Sequence, residues 1–140
     1  YRPRSEREIQ RQLHRRNFSQ EVVGKVLARL KERGLVDDIA FAEFWKGNRE
    51  AFSPRSRRLV EQELRLKGVP AEVAKEVSQG MDDKLSALAA GKKKARSLKG
   101  LEYPQFRKRL SDFLHRRGFG YEDVRHAVER IWREKEELPL

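Results

Sequence analysis

The sequence predicts an all-α fold in which a helical unit is repeated along the chain. Leu13, Leu64 and Leu114 lie 51 and 50 residues apart, and each has an apolar residue four positions before it and another five positions after it. The β-branched residues sit at helical spacing, and no turn signal joins alternating runs into a hairpin. A repeat period near 50 residues is typical of a solenoid or a small helical array.

The composition supports thin helical units rather than a compact globule. Of the 140 residues, 37% are hydrophobic and 39% are charged. The absence of cysteine excludes a disulfide framework and a thiolate metal site, and it agrees with a reducing compartment. No apolar run approaches the length of a membrane span, and no signal peptide is recognisable.

The central segment, residues 53–81, shows the repeat unit most clearly. Ser53 is predicted to cap a helix whose first position is Pro54, where a missing N–H and a fixed φ cost nothing. Gly68 is predicted to end that helix, because glycine enters the left-handed region without a Cβ clash. A second helix is predicted to follow at once, with Pro70 at its head and a buried stripe spaced four residues apart: Val73, Val77 and Met81.

Residues 5–34 carry the same pattern in front of the central segment. Ser5 and Glu8 form a capping box for a helix that is predicted to run to about Arg16. Asn17 takes the turn position, where asparagine is the next best left-handed residue after glycine. Ser19 is predicted to cap the second helix of the pair. The predicted apolar positions after the turn are Phe18, Val22, Val23, Val26, Leu27 and Leu30.

A third helix is predicted to begin at the neighbouring carboxylates Asp37 and Asp38. Helix capping explains this pair more simply than a Mg²⁺ site does, because adjacent side chains point in different directions. The helix carries three aromatic residues on one face at i, i+3 and i+4: Phe41, Phe44 and Trp45. Such a stripe could stack bases, but at helical spacing we favour packing in the core. Gly47 is predicted to weaken the end of the helix.

Residues 82–136 continue the pattern behind the central segment. Asp82 or Asp83 is predicted to cap a helix that Gly100 ends and that carries three apolar residues: Leu85, Leu88 and Ala89. Tyr103 opens the third repeat, and Gly118 takes its turn position. A last helix is predicted from about Tyr121 to Glu136. The inward positions of the third repeat are Phe106, Leu110, Phe113, Leu114 and Phe119.

The residues required for catalysis or metal binding are nearly absent. The chain has three histidines, and His14 and His115 occupy the same repeat position, where the central repeat has Arg65. A position that accepts arginine or histidine without a partner motif is typical of an exposed basic site. We therefore predict no catalytic residue, no metal site and no cofactor.

The charge distribution indicates an anionic partner. Lys plus Arg number 33 against 22 Asp plus Glu, for a formal net charge of +11 and a pI near 10.3. Helix dipoles account for one or two cations per helix. They do not account for residues 92–117, which contain ten cations and two acids.

Cations of this kind position a partner through its phosphates or acidic groups without reading sequence. The predicted partner-binding and DNA-binding residues are Arg11, Arg15, Arg16, Arg57, Arg58, Arg65, Lys67, Lys92, Lys93, Lys94, Arg96, Lys99, Arg107, Lys108, Arg109, Arg116 and Arg117.

Four stretches of the chain resemble the RecX family, the bacterial regulators of the RecA recombinase. They are residues 4–13, residues 34–42 with two adjacent Asp and a Phe-Ala pair, residues 53–69, and residues 113–122 with the Arg-Gly-Phe turn. Asn17, Ile39 and Pro54 depart from the family pattern, and Pro54 lies about one helical turn farther from Leu64 than is usual there.

The resemblance implies a cytoplasmic protein of three tandem three-helix repeats in an elongated, curved arrangement. The repeats are expected at residues 1–51, 52–100 and 101–140, with the first truncated at its N-terminus because the chain begins at Tyr1 inside it. Such proteins lie in the groove of the RecA filament on single-stranded DNA. They restrain filament extension, ATP hydrolysis and strand exchange, and so moderate recombination and the damage response.

Two functions therefore remain open at the level of the sequence. The first is a non-enzymatic, monomeric inhibitor of the RecA–single-stranded DNA filament with no membrane partner. The alternative is a stand-alone, sequence-nonspecific DNA-binding helical protein. The first predicts preference for the protein-coated filament, whereas the second predicts tight binding to bare DNA with a steep dependence on salt.

Overall fold

The computed structural model describes residues 3–34 and 36–137, and these residues form helices and no strand. Tyr1 and Leu35 lie outside the described residues. The all-α prediction is confirmed. The helices are α1 (Glu6–Arg15), α2 (Gln20–Glu32), α3 (Asp38–Phe52), α4 (Arg57–Leu66), α5 (Ala71–Ser78), α6 (Asp83–Ala95), a 3₁₀ turn (Arg96–Leu98), α7 (Tyr103–Arg116) and α8 (Tyr121–Glu137).

The chain divides into two compact units. The first unit contains the residues up to Asn48 together with Val60–Gly80, and the second contains Arg49–Leu59 together with the residues from Met81 onward. Helices α3 and α4 contribute residues to both units. The repeat limits at residues 1–51, 52–100 and 101–140 stay a prediction.

The predicted left-handed turns occur at all three repeat positions. Asn17, Gly68 and Gly118 have φ angles of 63°, 92° and 90°. The backbone N–H of the residue after each turn donates to the carbonyl of the leucine that recurs in each repeat: Phe18 to Leu13 at 3.3 Å, Val69 to Leu64 at 3.0 Å and Phe119 to Leu114 at 3.2 Å. This is the Schellman motif, which satisfies carbonyls that a helix end leaves unpaired.

The two Asp-Asp pairs cap helices, as predicted, and each pair caps two of them. Asp37 accepts from the backbone N–H groups of Ile39 and Ala40 at the start of its own helix, both at 3.0 Å. Its neighbour Asp38 accepts from the N–H of Glu6, at the start of α1, at 3.2 Å. The second carboxylate therefore joins the third helix to the first, a contact that the helix-capping pattern does not predict.

The same arrangement recurs in the second unit. Asp82 caps its own helix through the N–H groups of Lys84 and Leu85 at 3.0 and 3.2 Å. Asp83 accepts from the N–H of Arg57, the first residue of α4, at 2.8 Å. A charged acceptor at a helix N-terminus is favourable both as a hydrogen bond and through the helix dipole.

Replacing Asp83 by Ala is expected to lower the free energy of unfolding by about 1 kcal/mol, because it removes the acceptor of the first N–H of α4. Urea unfolding followed by circular dichroism measures the loss. Asp83→Asn keeps an oxygen acceptor and should recover most of it. Asp112→Ala is the control, because that carboxylate lies on the surface and forms an exposed ion pair with Lys108, at 3.8 Å. Equal losses for Asp83→Ala and Asp112→Ala would contradict the capping role.

The start of α4 differs from the prediction. The helix begins at Arg57 rather than Pro54, and the capping side chain is that of Ser56, whose Oγ accepts from the N–H of Leu59 at 3.1 Å. Ser56 lies 51 residues after Ser5, so the repeat spacing and not the nearest Ser-Pro pair places the cap. Contacts distant in sequence hold this start in place, because the N–H of Ser56 donates to the Arg117 carbonyl at 3.0 Å.

Gly47, which is predicted to weaken the end of α3, lies within that helix. The helix continues through Gly47 to Phe52. A glycine within a helix costs roughly 1 kcal/mol relative to alanine. The buried residues of α3, Phe41 and Ala42, lie in the part of the helix before the glycine.

Most predicted core positions are buried, and Val60, Leu64, Leu110 and Leu114 are fully so. Five apolar residues predicted to face inward are exposed instead: Phe18, Val22, Phe44, Leu85 and Ala89. A helix buries only one stripe of its surface. In α2 that stripe is taken by Val23 and Leu27. In α6 it is taken by Ala87, Leu88, Ala90 and Gly91.

Candidate nucleic-acid and protein interface

The predicted binding cations lie at the surface of both units. Fifteen of the seventeen are exposed, and Lys94 and Arg117 are half-buried. Some of these cations line two grooves, one within each unit. The others are spread over the helix surfaces.

The groove of the first unit is here called the aromatic groove. It has a volume of about 410 Å³ and lies between α1, α3 and the end of α4. Its lining side chains include three aromatic rings, three cations and an amide: Phe41, Phe44, Trp45, Arg11, Arg15, Lys67 and Asn48. The structure thus brings Lys67 beside two cations from more than fifty residues earlier in the chain.

Buried Ser5 joins α1 to the end of α4. Its Oγ accepts from the N–H of Glu8 at 3.1 Å and lies 3.4 Å from the Lys67 carbonyl, to which it donates. Arg11 and Arg15 are one helical turn apart, so both project from the same face of α1. A single serine therefore caps the helix and positions its cations beside Lys67.

Trp45 is held on three sides within this groove. Its ring stacks on that of Phe41 with the centroids 6.1 Å apart, and the Lys67 ammonium lies 5.1 Å from its centroid. Its indole N–H donates to the Glu63 carboxylate at 3.3 Å. Phe41 is buried, as expected for core packing, but Phe44 leaves 38% of its surface exposed. The core interpretation of the aromatic stripe is therefore right for Phe41 and wrong for Phe44.

The groove of the second unit is here called the lysine groove. It is lined by residues that include Phe52, Lys93, Lys94, Phe113 and Arg117. The Lys93 ammonium donates to the Phe52 carbonyl at 3.0 Å. Lys94 and Arg117 lie 5.3 and 4.9 Å from the centroid of the Phe113 ring, within cation–π range. Arg117 also donates to the hydroxyl of Ser53.

The two grooves occupy equivalent places in successive repeats. Asp38 and Asp83 start equivalent helices 45 residues apart, so Asn48 corresponds to Lys93. At the turn, Lys67 corresponds to Arg117, since each follows its core leucine by three residues. The same position in the fold thus carries aromatic side chains in one unit and additional lysines in the other.

Among the remaining candidates, Lys92 and Lys108 have acidic neighbours. Lys92 lies 3.8 Å from Glu134, and Lys108 lies 3.8 Å from Asp112. Exposed pairs of this kind contribute little and are screened by salt. Several other candidates make no ion pair within residues 3–34 and 36–137: Arg16, Arg57, Arg58, Arg65, Arg96, Lys99, Arg107, Arg109 and Arg116.

The acids of α8 pair mainly within their own helix. A hydrogen bond to Glu122 at 2.8 Å raises the pKa of Arg125, and Arg130 bonds Glu134 at 3.1 Å. Among the described residues, no group of three or more His, Cys, Asp or Glu is placed to hold a metal ion. No helix in the described part of the chain is long and apolar enough to cross a membrane.

The predicted site residues do not include Phe44, Asn48, Phe52 or Phe113. For Phe44 a signal was present, because a helix that already buries Phe41 has little room for a second large ring on an adjacent stripe. Phe52 meets Lys93, 41 positions away, and Phe113 meets Lys94, 19 positions away, and spacing along the chain does not encode such contacts.

Repeated Schellman turns, paired aspartate caps and exposed cations define a basic helical-repeat protein. Family models for the first, second and third three-helix domains of RecX match residues 1–30, 37–77 and 86–128. The chain belongs to the RecX family of regulatory proteins.

Individual relatives agree with this assignment. The chain is 36% identical over 132 residues to the regulatory protein RecX of Chlorobium phaeobacteroides (strain BS1), covering 94% of this chain and 87% of the relative. It is 31% identical over 143 residues to that of Streptomyces coelicolor, covering 97% and 76%. The crystal structure of RecX from Lactobacillus salivarius superposes with a TM-score of 0.74 at 18% identity, covering 93% of this chain and 86% of that one, and supports the fold.

Proposed function

We propose that this protein binds the RecA–single-stranded DNA filament and inhibits its ATPase, its extension and strand exchange. It would thereby moderate recombination, DNA repair and the SOS response as a non-enzymatic, monomeric regulator in the cytoplasm. The observation that carries the proposal is membership of the RecX family together with an excess of cations over the whole chain, 33 Lys plus Arg against 22 Asp plus Glu.

The exposed cations support a contact with the phosphate backbone. Arg96, Lys99 and Arg116 all belong to the second unit, are exposed, and make no ion pair within the described residues. A cation that neutralises a phosphate releases a condensed counterion, so its contribution falls as salt rises. Such contacts carry no sequence information, which suits a regulator that acts on a filament formed on any sequence.

The first experiment is ATP hydrolysis by RecA on single-stranded DNA in physiological salt, with this protein titrated from far below to above the RecA concentration. Inhibition is expected well below a one-to-one ratio, because a ligand of the filament does not need to saturate the DNA. Inhibition that begins only when the DNA is saturated would overturn the proposal and favour the stand-alone, sequence-nonspecific DNA-binding protein.

A triple variant tests the assigned cations. Replacing Arg96, Lys99 and Arg116 by Ala is expected to weaken binding to single-stranded DNA and to the filament. The slope of log K against log salt should decrease by about 2, since each lost contact with a single strand removes roughly 0.7. Fluorescence anisotropy of labelled DNA at several salt concentrations measures this slope.

The control removes the same net charge elsewhere. Arg29, Lys75 and Arg133 are exposed cations outside the candidate set, and Ala at all three positions lowers the net charge equally. This variant should retain the slope and the inhibition. Equal losses in the two triple variants would show that net charge, and not the assigned positions, governs binding.

A further inference from the structure

We propose that the aromatic groove binds one unstacked base of single-stranded DNA against Phe44, with neighbouring phosphates on Arg11 and Arg15. The inference rests on the proposed function, because it takes single-stranded DNA as the anionic ligand. It adds a contact to the base itself, whereas the cations alone account only for contacts to phosphate.

The Phe44 ring is exposed to solvent in this groove. The ring leaves 38% of its surface in solvent, although Phe41, three residues earlier on the same helix, is 1% exposed and supplies the core contact. Phe44 is also part of the wall of a concave groove. Base stacking on such a ring is worth about 1–3 kcal/mol and tolerates any base, because every base has a π-face.

The wall of the groove beside Phe44 is formed before any ligand binds. Trp45 is held by the Phe41 ring, the Lys67 ammonium and the Glu63 carboxylate, at the distances given above. A ring that is already fixed loses little conformational entropy when a ligand binds. The groove therefore offers a rigid aromatic surface to a ligand.

The aromatic groove also carries positive charge. Arg11 and Arg15 are exposed, lie about 6 Å apart along the axis of α1, and make no ion pair within the described residues. The acidic residue among those that line the groove is Glu8, and its carboxylate lies 3.6 Å from the Arg4 guanidinium. With Lys67, the groove presents three cations around an aromatic wall, so an anionic ligand with a flat apolar part is complementary to it.

A nucleotide fits this combination better than an acidic peptide does. An acidic side chain would satisfy the arginines but would leave the exposed ring of Phe44 without a planar partner. The volume of about 410 Å³ is near the lower end of the range for ligand clefts, as expected for a single planar group. Gln12 and Asn48 also line the groove, and their amides can donate to and accept from the edge of a base.

The lysine groove supplies an internal contrast. By the 45-residue correspondence of their helices, the positions of Phe44 and Trp45 are taken by Ala89 and Ala90 in the second unit. That groove has cations around Phe113 but no aromatic pair at the equivalent place. Base binding is therefore assigned to the first unit.

The test compares two ligands of equal length and charge: a 15-nucleotide deoxythymidine strand and a 15-unit abasic phosphodiester strand. The unmodified full chain should bind the thymidine strand about 5- to 150-fold more tightly, the range that one stacked base provides. Phe44→Ala and Phe44→Leu should bind both strands equally. The leucine variant keeps apolar bulk without a ring, so a change in folding cannot account for its loss of preference.

Phe18→Ala is the matched control. Phe18 lies in the same unit and leaves 46% of its surface exposed, but it is outside the groove. This variant should keep the full preference for thymidine. A spectroscopic signal is also available, since the chain has two tryptophans. In a Trp132→Phe background, Trp45 alone should report binding by quenching with the thymidine strand and not with the abasic strand.

The outcomes separate this inference from the proposed function. Equal binding of the two strands by the unmodified protein, with RecA inhibition intact, would overturn the base site and leave the regulatory function standing. Loss of RecA inhibition in Phe44→Ala without any preference for bases would also overturn it and would assign the groove to a protein side chain. Failure to inhibit RecA together with a preference for thymidine would contradict the proposed function alone.

Discussion

Gly118→Ala is expected to lower the free energy of unfolding by about 2–5 kcal/mol. Gly118 has a φ of 90°, and a Cβ there would lie 2.4 Å from the Ser56 hydroxyl oxygen and 3.0 Å from the Leu59 Cβ. The left-handed conformation alone costs a residue with a Cβ about 1–2 kcal/mol. Overpacking adds about 1–3 kcal/mol. The cost is high because this turn packs on the start of α4, where the serine cap and the Arg117 carbonyl also meet.

The control for this prediction is Gly100→Ala. Gly100 has a φ of 81°, but a Cβ there would meet nothing within 4 Å. Gly100→Ala should therefore lower the free energy of unfolding by about 1–2 kcal/mol, the conformational contribution without that of overpacking. Urea and thermal unfolding by circular dichroism compare the two variants. Equal destabilisation would show that the turn of α7 tolerates a side chain against α4 and would contradict the described packing.

Leu114→Ala is expected to cost about 2–5 kcal/mol, because a buried leucine loses both its apolar transfer energy and the contacts around the cavity. Leu114 is fully buried, packs in the cluster that includes Phe106, Leu110 and Ile131, and belongs to the leucine series that sets the repeat. Unfolding in urea measures the change in free energy. A midpoint close to that of the unmodified protein would show that the cluster can collapse around the missing side chain.

Leu66→Ala is the matched control for Leu114→Ala. Leu66 also belongs to a first helix of a repeat unit, but it leaves 69% of its surface exposed. Its replacement should change stability by no more than about 0.5 kcal/mol. Destabilisation by several kcal/mol would indicate that Leu66 is covered by another molecule in solution.

Much of the fold could be predicted from the sequence because the determining interactions are local. The turn positions Asn17, Gly68 and Gly118 follow from the φ angles that such turns require, and those requirements act on single residues. Caps such as Ser5 and Ser19 satisfy N–H groups three residues away. Patterns of this range can be read along the chain without knowledge of the tertiary contacts.

The errors fall where distant contacts overrule local preference. Ser53 and Pro54 form a favourable local start, yet the helix begins after Ser56 because Asp83 and Arg117 engage the backbone there. Asp83 and Arg117 are both more than a helix length away in sequence from this helix start.

The candidate site shows the same division. The sequence by itself determined the class of fold, the repeat and the basic character of the binding surface, because periodicity, turn residues and charge are properties of the chain. Only the tertiary structure decided that Arg11 and Arg15 meet Lys67 beside an exposed Phe44, and that Lys93 lies by the Phe52 carbonyl. Such encounters depend on how helices pack, and packing is set by side-chain contacts across about fifty residues.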